Sequence, residues 1–353
     1  MPNPLCRQKT VKSTAELEVE LNASYAFDAI TEAGAKLEPI TGAEYQGLAN
    51  IGNSCYMNST LQILFSLPEF IQRYGLPAGS ALTDHPLLPH VSPTSASTDL
   101  VTQTIKVATA LGTGVFSCPL DQDDTDPKYR VAPRMFKHVI GKDHIDFCTA
   151  QQQDAPQFLQ YLLERLDRAE LALSNKNLSS HLFSFETSER LVCSADKRVK
   201  YKNSAPETIW SLRIPMDKAE VDEAAMKIKE EEALKSPDQK RQKTGSEDEV
   251  VKMIPLETCV KDWADGGVVD DMRWPHLQNA VHPASVQHRF ANFPRYLVLQ
   301  LQRYQLGPDW QPMKLLVNVV VPEEIDLNEY RAQGPSAGED LEPDDPQEEK
   351  TEE

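Results

Sequence analysis

YQGLANIGNSCYMNSTLQILFSLPEF, residues 45–70, is the stretch on which the reading of this chain turns. Gly47 and Gly52 punctuate a turn, after which an apolar run continues to Pro68. Asn53 and Ser54 are helix-capping residue types, so the pattern predicts a helix beginning close to Cys55, with Met57, Leu61 and Leu64 on its apolar face. A thiol at a helix start feels the positive end of the helix dipole, which favours thiolate, the nucleophilic form. Asn50, on the glycine-flanked loop just before, can aim its amide at an oxyanion forming beside that sulfur. Such a donor is typically worth about 3 kcal/mol of transition-state stabilisation. Helix-start cysteines are also often plain buried thiols, so these residues alone leave both readings open.

Outward from that stretch, Ser, Thr and Pro crowd 79–98, and a polar segment, 121–128, separates two expected helices. A clear helix begins near Asp154, where Phe158, Leu159, Leu162, Leu163 and Leu166 form one stripe of a 3.6-residue period. Asp154 and Gln157 form a capping box, and Pro156 suits a first turn. After Asn177 apolar residues recur at period two in LFSFE, RLVCSA and TIWSLRIP, and again in 293–307 and 312–322, predicting strands. Helices followed by strands predict an α+β fold. Residues 1–44 read as an N-terminal extension, 45–181 as the helical part and 182–330 as the strand-rich part. Within the latter, 222–249 carries nine acids and six bases and reads as a charged insertion. Residues 331–353 read as a disordered acidic tail, since 336–353 hold nine acids and one lysine.

Composition narrows the function. The formal charge of −18 over 353 residues argues against a nucleic-acid binder, which needs a lysine and arginine excess. No apolar stretch approaches the ~20 residues of a membrane helix, and the N-terminus lacks a signal-peptide core. The six cysteines are widely spaced without a C-x-x-C pair, which predicts reduced thiols and no zinc site. The expected compartment is the cytoplasm, with the nucleus as an alternative.

Beyond these readings, three motifs carry a family resemblance. GLANIGNSCYMNSTLQ resembles the cysteine box of the ubiquitin-specific proteases, the papain-like deubiquitinases, and QQQDAPQFLQYLLERL (151–166) resembles their glutamine–aspartate box. FPRYLVLQLQRY, followed by Lys314, Val319, Pro322 and Asp326, resembles the strand pair before their histidine box. KSTAELEVELN, APRMFKHVIGK (132–142), LVCSADKRVKYKN and LGPDWQPMKL (306–315) are similar to the isopeptidase T subfamily. The resemblance implies a papain-like fold with a helical thumb and β-rich fingers and palm, incomplete at its C-terminus. It further implies ubiquitin or polyubiquitin as partner, no cofactor, Cys55 as nucleophile on the isopeptide carbonyl and Asn50 as oxyanion donor. Gln152, Asp154 and Gln157 would meet the ubiquitin tail, whose two arginines suit a carboxylate. Family members often have Gln-Glu after the box alanine, whereas this chain has Pro156 and Gln157.

The family's histidine lies in a Gly-His-Tyr context downstream of the strand pair. His276, His282 and His288 have neither that context nor that position, and His138, His144 and His181 come earlier still. No catalytic histidine is identified. The resemblance also implies a ubiquitin-associated domain pair and an N-terminal zinc finger that this sequence does not contain. A chain inactive by itself, a catalytically dead ubiquitin-binding module and a scaffold therefore stay open as expectations.

Overall fold

Residues 55–64 are helical because their apolar side chains recur on one face and nothing in the run breaks the backbone. Helix α1 (Cys55–Leu64) buries Tyr56, Met57, Thr60, Leu61 and Leu64, which includes all three of the expected apolar positions. Each such aliphatic side chain contributes about 1.5–3 kcal/mol when fully withdrawn from water. Pro68 stands in the first turn of α2 (Pro68–Tyr74), where its missing N–H costs nothing. The computed structural model describes residues 41–43, 45–77, 79–88, 94–119, 126–172, 178–223, 252–306, 310 and 312–342. Nearly all of the N-terminal extension and of the charged insertion lies outside them, as do residues 343–353 of the acidic tail.

The chain divides into two units, Met1–Ser180 and His181–Glu353. The first is helical. After α2 come α3 (Leu100–Gly112), capped by Asp99, which accepts from the Thr102 amide at 2.6 Å, then α4 (Arg134–Gly141) and α5 (Ala155–Ala172). The stripe expected on α5 is buried at Phe158, Leu162, Leu163 and Leu166, with Leu159 at its margin. The same face carries an unexpected member, Glu170, whose side chain is fully buried. Its carboxylate accepts from Arg73 Nη1 (3.1 Å), Tyr74 Oη (2.5 Å), the Ser179 amide (2.9 Å) and the Ser179 hydroxyl (2.9 Å). A buried charge is tolerable when it is paired and its lone pairs are satisfied, and these four donors tie α2, α5 and the chain at 179 together. Tyr56, Phe147 and Phe158 pack mutually, two of the pairs edge-on at 5.2–5.3 Å, and so seat α1 against α5.

The second unit is built from strands β1 (Thr187–Cys193), β2 (Val199–Asn203), β3 (Trp210–Arg213), β4 (Glu220–Val221), β5 (Lys252–Pro255), β6 (Gly267–Val269), β7 (Arg273–Trp274), β8 (Ala280–Val281), β9 (Ala284–Phe290), β10 (Leu299–Gln302), β11 (Tyr304–Leu306), β12 (Pro312–Lys314) and β13 (Val317–Val320), with helix α6 (Leu256–Asp265) after β5. The largest sheet runs β2-β1-β9-β6, all antiparallel. β3 pairs with β10 and β5 with β13, both parallel, the mixture an α+β chain permits. Its main core gathers Phe185, Trp210, Leu212, Ile254, Val260 and Phe290. A smaller one holds Leu191, Cys193, Trp274, Ala284 and Val286. Among the described residues no helix is long and apolar enough to cross a membrane.

The expectation of disorder from residue 331 onward is corrected for 331–342. Leu341 bridges Val199 in parallel, through Val199 N to Asp340 O and Glu342 N to Val199 O, each 2.9 Å. Arg190 donates to Glu339 at 2.8 and 3.0 Å, Tyr201 donates to the same carboxylate at 2.9 Å, and Arg198 donates to Asp340 at 3.1 Å. The Arg190 guanidinium holds the Glu339 carboxyl below its usual range. Buried Glu342 meets Nδ1 of His276, whose Nε2 lies 2.5 Å from Asp196. The acids find cations brought together by the β1–β2 hairpin, which local composition does not reveal.

Candidate active site

Helix α1 opens on Cys55, an exposed free thiol flanked by buried Ser54, Tyr56 and Met57. The packed neighbours fix the helix start while the sulfur faces outward, so the packed-thiol reading does not hold for this cysteine. Ahead of it, Asn50 folds its side chain back over the turn. Asn50 Oδ1 accepts from the Gly52 amide, the Ser54 amide and the Ser54 hydroxyl, each at 3.1 Å. Three donors converging on one atom identify it as the oxygen, which turns Nδ2 to the opposite side of the amide. The loop thus orients the only donor group that an asparagine side chain has.

Ser54 was expected as a helix cap. It occupies the cap position, but its side chain makes no cap hydrogen bond. Its hydroxyl instead accepts from the Ile51 amide at 3.0 Å and donates to Asn50. The turn itself requires unusual backbone: Gly52 has φ +101° and Asn53 φ +48°, conformations suited to glycine and tolerated by asparagine.

Several polar side chains that sequence reasoning passed over hold this loop. Asn58 donates to the carbonyls of Leu48 (3.4 Å) and Ala49 (3.1 Å), and Gln62 to that of Gln46 (2.9 Å). The Ala49 amide donates to the Val131 carbonyl at 2.8 Å. Asn53 Nδ2 reaches the Ala150 carbonyl at 2.9 Å, and Lys137 on α4 reaches the Gly52 carbonyl at 3.2 Å. An amide side chain in the first turn of the helix, as with Asn58, is the sequence signal that was available. For Lys137 there was none beyond its place in a family-like segment.

Gln152, Asp154 and Gln157 are all exposed, at and just before the start of α5. Asp154 Oδ1 accepts from the Gln157 amide at 2.8 Å, so the expected cap is present. Gln153, not singled out from sequence, donates to the Asp146 carbonyl at 3.1 Å and shapes the preceding loop. Through Ala150 that loop touches Asn53, so the glutamine–aspartate segment and the cysteine loop belong to one scaffold.

The described histidines differ in their surroundings. His144 stacks on Phe147 at 4.2 Å and accepts from the Asp146 amide at 3.2 Å. His288 stacks on Trp263, and burial holds its ring pKa below the usual 6.5. His276 lies between two carboxylates. His138 and His181 are exposed, and the His282 amide donates to Met272. Cys193 and Cys259 are buried, each in its own core, and burial pushes the Cys259 thiol up. Among the described residues no group of three or more His, Cys, Asp or Glu is arranged to hold a metal ion.

An exposed thiol thus opens α1, and the residue before it, Ser54, holds the side chain of Asn50 in a fixed orientation. The chain belongs to the ubiquitin carboxyl-terminal hydrolase family, whose sequence model matches residues 46–343. That family is the one of the ubiquitin-specific cysteine proteases. Human ubiquitin carboxyl-terminal hydrolase 5, which is isopeptidase T, is 34% identical over 350 residues, covering 96% of this chain and 38% of that protein. Ubiquitin carboxyl-terminal hydrolase 14 of Arabidopsis thaliana is 34% identical over 345 residues, covering 96% of this chain and 42% of that protein. The chain thus spans about two fifths of the length of these relatives. The SAGA Ubp8/Sgf11/Sus1/Sgf73 DUB module bound to ubiquitin aldehyde matches with TM-score 0.58 and 16% identity, over 94% of this chain and 63% of that one. At that identity the likeness is one of fold, and it agrees with the papain-like α+β expectation.

Proposed function

We propose that this chain carries the nucleophile side of a deubiquitinase that cleaves isopeptide bonds after the C-terminal glycine of ubiquitin, with polyubiquitin as the expected substrate. Cys55 Sγ attacks the scissile carbonyl carbon, forming a C–S bond while the carbonyl oxygen takes the negative charge. The Asn50 amide donates to that oxygen. Collapse breaks the C–N bond and releases the lysine amine, which leaves with a proton. Water then hydrolyses the thioester, returning the thiol and the glycine carboxylate. In the family a histidine moves these protons. No histidine here has the family's Gly-His-Tyr context. Exposed Asp154 supplies a carboxylate for the basic ubiquitin tail, with Gln152 and Gln157 beside it.

The observation that carries the reading is the triple clamp on Asn50 Oδ1, which orients the amide donor beside an exposed helix-start thiol. The test is labelling with ubiquitin bearing a C-terminal electrophile. A covalent adduct at Cys55, lost in Cys55→Ser, is expected. Reversible ubiquitin binding without any adduct, even with a histidine-containing segment supplied, would convert the reading to a ubiquitin-binding module. Absence of both would leave a scaffold.

A further inference from the structure

We propose that Lys137 is a positioning residue for the oxyanion side of this site, an inference that rests on reading Cys55 as the nucleophile. Asn50 holds the Gly52 and Ser54 amides, and so fixes the peptides on either side of the Gly52–Asn53 unit. The unit between them is reached from farther along the chain. Its carbonyl accepts from the Lys137 ammonium at 3.2 Å, across 85 positions of sequence.

That peptide is the one with a reason to turn over. Asn53 sits at φ +48°, a conformation that costs any residue with a Cβ. Rotating the Gly52–Asn53 peptide by about half a turn changes ψ of Gly52 and φ of Asn53 together, and releases Asn53 from the left-handed region. Gly52, free of a side chain, offers no resistance. The same rotation swings the Gly52 carbonyl away from Lys137 and breaks a charge-assisted bond. The ammonium therefore opposes the relaxation.

The placement of Lys137 is itself built. Phe136, Val139 and Ile140 of α4 are buried, which fixes the helix. Gly141 at its end allows the Phe147 carbonyl to approach so closely that a Cβ there would come within 2.5 Å. The loop 143–150 packed in this way ends on Ala150, whose carbonyl holds the Asn53 side chain. One body, α4 with its following loop, therefore grips the Gly52–Asn53 peptide at both ends. Turning it over would reverse the dipole of the peptide that lies between the two amides holding Asn50, and so loosen the orientation of the Asn50 Nδ2 while Cys55 keeps its place. A misplacement of about 1 Å at a reacting centre can cost about 100-fold in rate.

The test uses two ubiquitin probes on the full chain. Ubiquitin aldehyde forms a hemithioacetal with Cys55, whose oxygen occupies the oxyanion position. Ubiquitin ending in a bromoethylamine group alkylates the same sulfur, forming C–S and expelling bromide without any oxyanion. Lys137→Met is expected to weaken aldehyde capture by about tenfold or more while changing the alkylation rate less than about twofold. Lys137→Arg, which keeps the cationic donor, is expected to restore most of the loss. The ratio of the two reactions on one preparation cancels any misfolded fraction, and Lys137→Gln gives a second, gentler variant for the same ratio. Equal losses with both probes, or no loss with either, would overturn the assignment. A parent chain that neither probe labels at Cys55, with a histidine-containing segment supplied, overturns the underlying reading and the role of Lys137 with it.

Discussion

Glu170→Leu tests what holds the helical unit together. The Glu170 carboxylate is fully buried and accepts four hydrogen bonds, from Arg73, Tyr74 and both the amide and hydroxyl of Ser179. Burial, and then the nearby Glu170 charge, raise the Tyr74 hydroxyl well above its usual pKa, consistent with a phenol that stays a donor. After the substitution Tyr74 keeps the Ser179 hydroxyl at 3.0 Å, and Arg73, 21% exposed, can turn to water. The Ser179 amide is left buried without its acceptor, a loss of about 1–3 kcal/mol. Breaking a fully buried ion pair costs about 3–5 kcal/mol, and the partial exposure of Arg73 trims that range. Both losses follow from removing one carboxylate and overlap, so the total is about 3–4 kcal/mol. Glu170→Gln retains shape and an acceptor oxygen and should cost about half as much. All four tryptophans, at 210, 263, 274 and 310, lie in the second unit, so far-UV circular dichroism is the appropriate probe of the first. With a urea slope of about 2–3 kcal/mol/M, the midpoint of Glu170→Leu should fall by about 1–2 M. A midpoint within about 0.3 M of the parent, or a Gln variant as damaging as Leu, would refute the reasoning.

Further outcomes follow from the site and from the buried rings. Asn50→Asp keeps an oxygen where three donors converge but replaces the amide donor, so ubiquitin aldehyde capture should drop by about 100-fold or more with little change in melting temperature; unaltered capture would remove Asn50 from the oxyanion role. Asp154→Asn keeps a cap while losing charge, and should weaken ubiquitin binding without loss of stability, whereas Asp154→Ala should also cost about 1 kcal/mol of stability. Unchanged affinity in both variants would leave Asp154 a cap alone. Burial lowers the pKa of His85 and His288 below 6.5. Between that value and their depressed folded pKa the unfolded chain binds protons that the folded chain does not. The stability they contribute is complete above pH 6.5 and is lost as pH falls through 6.5 toward the folded value. Unfolding midpoints of the His85→Gln, His288→Gln double variant should therefore fall less steeply from about pH 7 to 5; equal slopes would count against it.

Much of this molecule is legible in one dimension. Met57, Leu61 and Leu64 announce α1, and Phe158 to Leu166 announce α5, because helical periodicity is a local property. Asp154 announces its cap for the same reason. Glu170 does not announce itself, since nothing local says that Arg73, Tyr74 and Ser179 will converge on it. The acidic residues Glu339, Asp340 and Glu342 mislead for that reason too. Their composition reads as solvated chain, yet Arg190 and Arg198 of the β1–β2 hairpin supply opposite charges, and His276 a contact for Glu342, that dock them.

By itself the sequence determined the helices that frame the site, the order of helical and strand-rich parts, and the identity of Cys55, Asn50 and Asp154 as residues worth watching. These follow from periodicity, capping chemistry and motif spacing, all encoded within a few turns of chain. Only the tertiary structure decided which way the Asn50 amide faces, that Ser54 serves Asn50 and not the helix, and that Lys137 and Ala150 brace the turn between them. Those outcomes depend on hydrogen-bond geometry between groups up to 97 positions apart. Spacing along the chain cannot report such geometry until packing has fixed where each group stands.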